Sequence, residues 1–194
     1  MKPKELYLLK YISETITTEH TTIRRYKHGD GEAIYALAER NGNREHLTLI
    51  ADDFAELKTV DDAEVLARRH RGEWAKRERF VAGIWLKEND SFIGELWIEP
   101  KNWEVPLFEI GWFIDKGLEG KGVAYEATRA GIDFIFKELD AHKVIAATND
   151  TNTRSYKLAE RLGFTKEGHT RESEIKDGKR FGRLIYGMLR EEFL

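Results

Sequence analysis

A strand, a glycine-rich turn and a helix follow one another midway along the chain, and this succession constrains the fold most. Residues 108–114 (FEIGWFI) form an apolar run that predicts a strand, and residues 122–139 carry apolar side chains at helical spacing. The glycines at 120 and 122 allow a sharp turn between the two elements. The amides of residues 121–124 would then point outward from the first helical turn, where they favour an anion such as a pyrophosphate.

The remaining patterns predict an α/β fold, with a single mixed, mostly antiparallel sheet of six to seven strands flanked by helices. The predicted order is β-α-α-β-β-β-α-β-α-β-β, and it indicates one domain over residues 1–194. Residues 41–60 give no assignment, and residues 1–20 predict a short helix or an irregular N-terminal extension. Strands are predicted at 21–26, 80–86, 92–98, 108–114 and 143–148, with two more around an Asp177-Gly178 turn, and helices at 31–40, 59–79, 122–139 and 152–162.

The charge balance and the residue types exclude several classes of protein. The 32 basic and 35 acidic side chains give a net charge of −3, which lacks the basic field of a nucleic-acid-binding protein. The chain has no cysteine, and its six histidines lack metal-ligand spacing, so we expect no metal site. No apolar run reaches the length of a membrane span. We therefore expect a soluble, cytoplasmic protein without a membrane partner.

Two familiar phosphate-binding loops do not match the turn. The Walker pattern GxxxxGK[ST] fails because Gly117 stands three residues before Gly120 and neither Ser nor Thr follows Lys121. The dinucleotide pattern GxGxxG fails because Tyr125 stands where a third glycine or alanine is needed. The turn therefore indicates an anion site of another kind.

Several segments resemble the GNAT superfamily of acetyltransferases. Its cofactor motif, Gln/Arg-x-x-Gly-x-Gly/Ala at a strand-to-helix junction, matches residues 117–122, although Gly117 stands where Gln or Arg is usual and Glu119 stands where Arg often precedes the Gly-x-Gly. The likeness is firm over about 105–192 and only topological before that. Within the superfamily the chain is similar to the RimJ/RimL-type branch of protein N-terminal acetyltransferases, through EIGW (109–112), GKGVAYEATRAGIDFIFKELDAHKV (120–144), NTRS (152–155), ERLGF (160–164) and LIYGMLREE (184–192).

The resemblance implies a GNAT-like fold that uses acetyl-CoA as co-substrate. It implies that the Phe113 amide donates to the thioester carbonyl. Because a carboxylate would repel a phosphate, we expect the Glu119 side chain to point to solvent while its backbone takes part. The implied cofactor contacts are Trp112, Phe113 and Ile114 along the pantetheine arm, Glu119, Gly120, Lys121, Gly122, Val123 and Ala124 at the pyrophosphate, and Asn152 and Ser155 on the following helix.

Acetyl transfer to an amine needs a neutral amine, a donor to the carbonyl oxygen and a proton for the leaving thiolate. The resemblance implies Glu109 as the base, often through water, and Ser155 as the proton donor. Asp52 or Glu95 could serve as the base instead. Asn152 and Ser155 also suit a helix N-cap and a first helical turn without any ligand.

The implied acceptor is a primary amine, above all a protein N-terminal α-amine. A small polyamine or amino sugar is an alternative, because Asp52, Asp53 and Glu56 could attract cations. A regulatory module that binds CoA without turnover is another, because Ala159 stands where many GNAT proteins have a tyrosine acid and Gly117 lacks the usual side chain. The sequence leaves the oligomeric state open, and a homodimer is among the alternatives.

Overall fold

A single β-sheet organises the computed structural model, which describes residues 3–48, 50–176 and 178–193. Its strands are β1 Thr15–Thr17, β2 Thr21–Arg25, β3 Phe80–Leu86, β4 Phe92–Asn102, β5 Leu107–Ile114, β6 Lys143–Asn149, β7 Thr165–Lys176 and β8 Lys179–Leu189. Within the described ranges these eight strands lie in the order β1-β2-β3-β4-β5-β6-β8-β7. The helices are α1 Pro3–Leu9, α2 Gly31–Glu39, α3 Asn43–Leu47, α4 Asp52–Ala55, α5 Val60–Ala75, α6 Val123–Lys137 and α7 Thr153–Leu162.

Helices cover both faces of the sheet, because side chains alternate between the faces along each strand. On one face α6 packs closely, and a Cβ at Gly131 would lie 2.6 Å from Leu96 Cδ1. The opposite face is covered by α2, α4 and α5. Its buried cluster includes Tyr26, Leu37, Phe54, Phe92 and Phe113.

The neighbouring strands pair antiparallel except β5 and β6, which run parallel. Their pairing covers residues 107–109 of β5 and residues 143–145 of β6. Beyond these residues β5 stays paired with β4, and β6 stays paired with β8. The two parallel strands therefore separate, and a gap opens between residues 110–114 and residues 146–149.

The mixed sheet and the four helices predicted from periodicity are confirmed, at α2, α5, α6 and α7. The sheet has eight strands in the described ranges rather than six or seven, because residues 15–17 pair with β2 as a short edge strand. The unassigned residues 41–60 contain α3 and α4. Asp177 of the predicted tight turn lies outside the described residues, while β7 and β8 pair as far as Lys176 opposite Lys179.

The N-terminal helix α1 contacts the rest of the structure through Tyr7, among other residues. The Tyr7 hydroxyl donates to the Leu139 carbonyl at 2.8 Å, and its ring lies 4.4 Å from the Trp103 ring. Among the helices of the described ranges, none combines the length and the apolar character that a membrane crossing requires.

Candidate active site

Backbone amides of β5 line the gap at every second residue. In an antiparallel pair of strands, the amides of alternate residues point to the same neighbour. The Asp115 amide donates to Ile93 O of β4 at 2.7 Å, so the Phe113 amide also faces β4. The amides that face the gap are those of Trp112 and Ile114. The sequence-based choice of Phe113 as thioester donor therefore needs correction.

Two further contacts show the same orientation of β5. Just before this strand, Pro106 O accepts from His142 N at 2.9 Å on the β6 side, so even-numbered residues face β6. A Cβ at Gly94 in β4 would lie 2.2 Å from Phe113 O, which places this carbonyl on the β4 side. Side-chain alternation could predict the faces of β5, but it gives no information on which edge each amide uses.

The glycine-rich turn leads into α6 with left-handed backbone angles. Gly120 and Gly122 have φ of +76° and +83°, a region that other residues rarely adopt. The first helical hydrogen bond joins Glu126 N to Gly122 O at 3.1 Å. The amides of Val123 and Ala124 precede that bond, so they are open to a ligand at the helix N-terminus.

Gly117 stands where GNAT proteins usually have Gln or Arg, and a buried carboxylate explains the change. A Cβ at Gly117 would lie 2.6 Å from Asn41 Nδ2. Asn41 and Asn43 donate to Asp115 Oδ1 at 2.9 and 3.2 Å, and Arg40 Nε donates to Oδ2 at 2.5 Å. Burial alone would raise the pKa of Asp115, but the hydrogen bonds from Asn41, the Gly117 amide, Arg40 and Asn43 hold it below its ordinary value. This cluster fixes the start of the turn against α2 and α3.

Glu119 does not point freely to solvent, contrary to expectation. Its side chain is 23% exposed and forms an ion pair with Arg154 Nη1 at 2.9 Å. His46 Nε2 lies 3.4 Å from the same carboxylate. Burial, the largest influence, lowers the pKa of His46, and Glu119 opposes this effect. The Glu119 carboxylate therefore joins the turn before α6 to Arg154 at the start of α7.

Two hollows meet beside the gap. The loop groove, about 720 Å³, runs along residues 112–114, the turn and the start of α7. The carboxylate cavity, about 550 Å³, lies between the α4 and α5 side of the sheet and the β7–β8 hairpin. Both hollows are lined by Ile50, Trp112, Asn149, Asn152 and Ser155.

Most of the predicted cofactor residues line the loop groove, and two do not. The groove includes Trp112, Phe113, Ile114, Glu119, Gly120, Gly122, Ala124, Asn152 and Ser155. Lys121 and Val123 instead line a neighbouring groove of about 1090 Å³ between β1 and α6. The structure thus brings together the strand, the turn and the α7 start that the sequence grouped.

Asn152 and Ser155 form the N-terminus of α7. The Asn152 side-chain oxygen accepts from the Ser155 amide at 3.2 Å, which is an N-cap interaction. Because both residues also line the junction of the two hollows, the capping role and a role toward a ligand are compatible.

Glu109 lies on β5, faces the carboxylate cavity and is held between two cations. Lys101 Nζ lies 3.3 Å from its Oε2, and Arg183 Nη2 donates to its Oε1 at 3.2 Å. Its carboxylate is therefore engaged at both oxygens. Asp52, at the rim of the same cavity, pairs with Lys176 Nζ at 2.5 Å.

Glu95 lies on β4 opposite Phe113 and is only 4% exposed. Its Oε2 accepts the Tyr26 hydroxyl at 2.6 Å and lies 3.9 Å from His70 Nε2. Burial raises the pKa of Glu95, and His70, the Tyr26 hydroxyl and Arg79 partly offset that rise. A buried carboxyl group with a raised pKa in a cavity is a common feature of proton-transfer sites.

Trp97 stands between the two glutamates on the cavity face. It pairs with Gly111 of β5, and a Cβ at Gly111 would lie 2.2 Å from the Trp97 ring. Only a glycine at 111 leaves room for this ring position. Trp97 thus separates Glu95 from Glu109 along the face of the sheet.

Several cavity residues were missed by sequence reasoning because they come from distant segments. Tyr186 of β8 is one of them, and its hydroxyl donates to Glu160 at 2.9 Å. Burial, followed by this hydrogen bond, raises the pKa of Tyr186 to about 12. Arg79, Lys101 and Arg183 are likewise cavity residues that follow no local motif. The part of the chain that the structure describes contains no group of three His, Asp or Glu residues suited to a metal ion.

Comparison with known proteins identifies the family. A family model described as an acetyltransferase (GNAT) domain matches residues 20–165. The chain belongs to the GNAT acetyltransferase family. As a member of that family it is an acetyl-CoA-dependent acetyltransferase, and its resemblance to the RimJ/RimL-type branch is confirmed.

Individual relatives cover nearly the whole chain. The "Uncharacterized N-acetyltransferase YnaD" of Bacillus subtilis is 26% identical over 92% of this chain and 98% of its own length. The "Putative ribosomal N-acetyltransferase YdaF" of the same organism is 29% identical over 90% of this chain and 94% of its own. The structure of RimL, a ribosomal L7/L12 α-N-protein acetyltransferase in complex with coenzyme A, has a TM-score of 0.82 at 16% identity, with 91% of this chain and 98% of that chain covered. The RimL comparison shows a shared GNAT fold.

Proposed function

We propose that this acetyltransferase moves acetyl from acetyl-CoA to a primary amine, above all the N-terminal α-amine of a protein. The observation that carries the proposal is the junction of the loop groove and the carboxylate cavity at Trp112, Asn152 and Ser155. A cofactor in the groove would present its thioester at this junction. An amine in the cavity would then be held within reach of the carbonyl carbon, which replaces a bimolecular encounter by a positioned one.

Backbone groups would hold acetyl-CoA in the loop groove. The amide of Ala124, which lines this groove, and the dipole of α6 suit the pyrophosphate. The gap-facing amides of Trp112 and Ile114 would pair with the pantetheine arm as an added strand does. Arg154 supplies a positive charge nearby, and a bound phosphate would compete with Glu119 for it.

The reaction is a direct attack of the amine nitrogen on the thioester carbonyl carbon, followed by cleavage of the carbon–sulfur bond. The Trp112 amide would stabilise the charge that develops on the carbonyl oxygen. Ser155 would give its proton to the leaving thiolate, and a glutamate of the cavity would take the proton of the amine. Glu109, the sequence-based candidate, and Glu95 both face this cavity.

The cavity favours an α-amine of a polypeptide over a polyamine. An α-amine has a pKa of about 7.7–8.0, whereas an alkyl amine such as lysine has about 10.4, so the α-amine needs less help to become neutral. Lys101, Lys176 and Arg183 each pair with a cavity carboxylate, which leaves less negative charge for a polycation. YdaF and RimL, similar in sequence and in fold respectively, carry names that describe ribosomal acetyltransferases.

An acceptor panel tests the proposed function. Purified protein is incubated with acetyl-CoA and either N-terminal peptides, polyamines or aminoglycosides, and thiol release is measured together with the mass of the acceptor. We expect thiol release with peptides that carry a free α-amine, and none with the same peptides after N-terminal blocking. Turnover on polyamines or aminoglycosides alone would indicate a small-molecule enzyme, and CoA binding without thiol release on any amine would indicate a regulatory module.

A further inference from the structure

Glu95 differs from the other carboxylates of the cavity in its partners. Within the described ranges no ion pair joins Glu95 to a lysine or an arginine, whereas the other five each have such a partner. The pairs are Asp52 with Lys176, Asp53 with Arg69, Glu99 with Lys101, Glu109 with Lys101 and Arg183, and Glu174 with Arg183. The Glu95 carboxylate is therefore not neutralised by a lysine or arginine ion pair within the described ranges.

The position of Glu95 brings it close to the place of acetyl transfer. It lies directly opposite Phe113 in the β4–β5 pair, one residue from Trp112, whose amide faces the gap. Its side chain shares the cavity face with Trp97 and lines the cavity. The Tyr26 hydroxyl fixes Oε2 at 2.6 Å, and burial followed by Glu95 raises the pKa of Tyr26 well above its ordinary value, so this hydroxyl keeps its proton.

His70 of α5 continues from Glu95 toward the surface. Its Nδ1 lies 3.0 Å from Glu73 Oε2; an ionised carboxylate only accepts, so Nδ1 carries the hydrogen. In the neutral ring the other nitrogen, Nε2, is an unprotonated acceptor, and it lies 3.9 Å from Glu95 Oε2. It is buried and has no hydrogen-bond partner among the described residues. Glu73 itself is 25% exposed and reaches water.

We propose that Glu95 takes the proton of the attacking amine and that His70 conducts it to Glu73 at the surface. This inference rests on the proposed function. The protonated amine first loses one proton to Glu95, so that a nitrogen–hydrogen bond breaks as an oxygen–hydrogen bond forms on the carboxylate. The free amine then attacks, and the second proton that its nitrogen sheds as the amide forms replaces the one that Ser155 gives to the CoA thiolate. Glu95 then protonates His70 Nε2 while Nδ1 gives its hydrogen to Glu73, which loses it to water. A movement of about 1 Å closes the 3.9 Å gap to hydrogen-bond length.

The side chains around Glu95 and His70 influence the proton affinity of Glu95 and the course of the path. Arg79 and Asp53 are two further charged side chains that act on the pKa of Glu95, and Arg79 lowers it while Asp53 raises it. The Tyr26 ring stacks on His70 at 6.0 Å and closes the path on the β2 side. The raised pKa of Glu95 brings its proton affinity closer to that of an amine, which is what efficient transfer requires.

Steady-state kinetics of three variants test Glu95 as the base. At about pH 6, where an α-amine is mostly protonated, we expect Glu95→Gln to lower kcat/KM by about 100-fold with unchanged acetyl-CoA affinity. The loss should shrink as the pH rises, because free amine then needs no base. Glu104→Gln, exposed in the turn between β4 and β5, is the control and should match the wild type. A Glu95→Gln activity within about threefold of wild type, or a larger loss in Glu109→Gln, would overturn the inference.

A second measurement does not depend on finding an acceptor. In ¹⁵N-histidine NMR spectra at about pH 7, with His70→Gln used for assignment, we expect His70 to carry its hydrogen on Nδ1 and a free lone pair on Nε2. Glu73→Gln should shift the Nδ1 resonance, and Glu95→Gln the Nε2 resonance. A hydrogen on Nε2 in the wild type would contradict the path. A failed acceptor panel overturns the proposed function, whereas a hydrogen on Nε2 overturns the path alone, so the two failures are distinguishable.

Discussion

The pair formed by Trp97 and Gly111 shows how one residue shapes the carboxylate cavity. The ring occupies the space that any side chain at 111 would need. It thereby holds Glu95 and Glu109 in separate parts of the same face. The consequence is that a single methyl group at 111 should disturb the acceptor side while leaving the loop groove in place.

Gly111→Ala should therefore destabilise the fold by about 1–3 kcal/mol through overpacking, and raise KM for the acceptor with little change in acetyl-CoA affinity. Denaturant unfolding and calorimetric CoA titration measure the two effects. Gly72→Ala is the matched control, because a Cβ on this α5 residue would meet no atom within 4 Å. It should stabilise by about 0.5–1 kcal/mol. Equal stability of Gly111→Ala and wild type would contradict the packing argument.

Gly122→Glu should weaken acetyl-CoA binding at least tenfold, a loss of about 1.4 kcal/mol or more. The new carboxylate would stand at the open N-terminus of α6, where it repels the pyrophosphate and takes the place of the anion. Gly178→Glu is the control, since Gly178 also has a positive φ and open space but lies in the β7–β8 hairpin. Calorimetric titration of both variants with CoA gives the comparison, and equal affinities would reject the phosphate site at the turn.

At the scale of elements, the helices and the glycine turn could be predicted from local sequence, whereas features that depend on contacts between distant segments could not. The helices α6 and α7 and the glycine turn were predictable because periodicity, glycine spacing and an Asn N-cap are written in adjacent residues. The edge strand β1 was not, because three residues carry too little pattern. The orientation of the Phe113 amide depends on the register between β4 and β5, and the approach of His70 to Glu95 depends on how α5 packs. Those two features require the folded chain.

The Asp115 cluster joins the turn before α6 to α2 and α3, and it predicts a pH dependence of stability. Asp115→Asn should cost about 2 kcal/mol at neutral pH, because buried donors lose a charged acceptor. The folded pKa of Asp115 lies below its unfolded value, so its contribution is full above about pH 4 and disappears as the pH falls through the folded pKa. The difference between variant and wild type should therefore shrink in acid.

Denaturant unfolding at pH 7 and at about pH 3 checks this expectation, with Asp90→Asn as control. Asp90 is exposed in the β3–β4 turn at a φ of +54°, which Asn tolerates. We expect its effect to stay within about 0.5 kcal/mol at both pH values. A loss in Asp115→Asn that is the same at the two pH values would contradict the ionised state assigned to Asp115.

At the scale of the molecule, one domain over residues 1–194 and a homodimer both stay predictions. A single domain should unfold in one transition that is the same by fluorescence and by circular dichroism. CoA should raise the free energy of unfolding by about 2.7 kcal/mol at 100 times the dissociation constant. The midpoint of the transition should therefore rise with the CoA concentration. Gly122→Glu should lose most of this gain. Two separate unfolding transitions would indicate two domains instead of one. A midpoint that does not change with CoA would argue against a preformed loop groove.

The separation of β5 and β6 also has a kinetic meaning. The loop groove and the carboxylate cavity approach the same junction from different directions, along the start of α7 and along α5. Each reactant would thus have its own entrance, and neither would have to wait for the other. Spent CoA should then exclude fresh acetyl-CoA while leaving the amine free to enter. In initial-rate plots this predicts competitive product inhibition against acetyl-CoA and non-competitive inhibition against the amine.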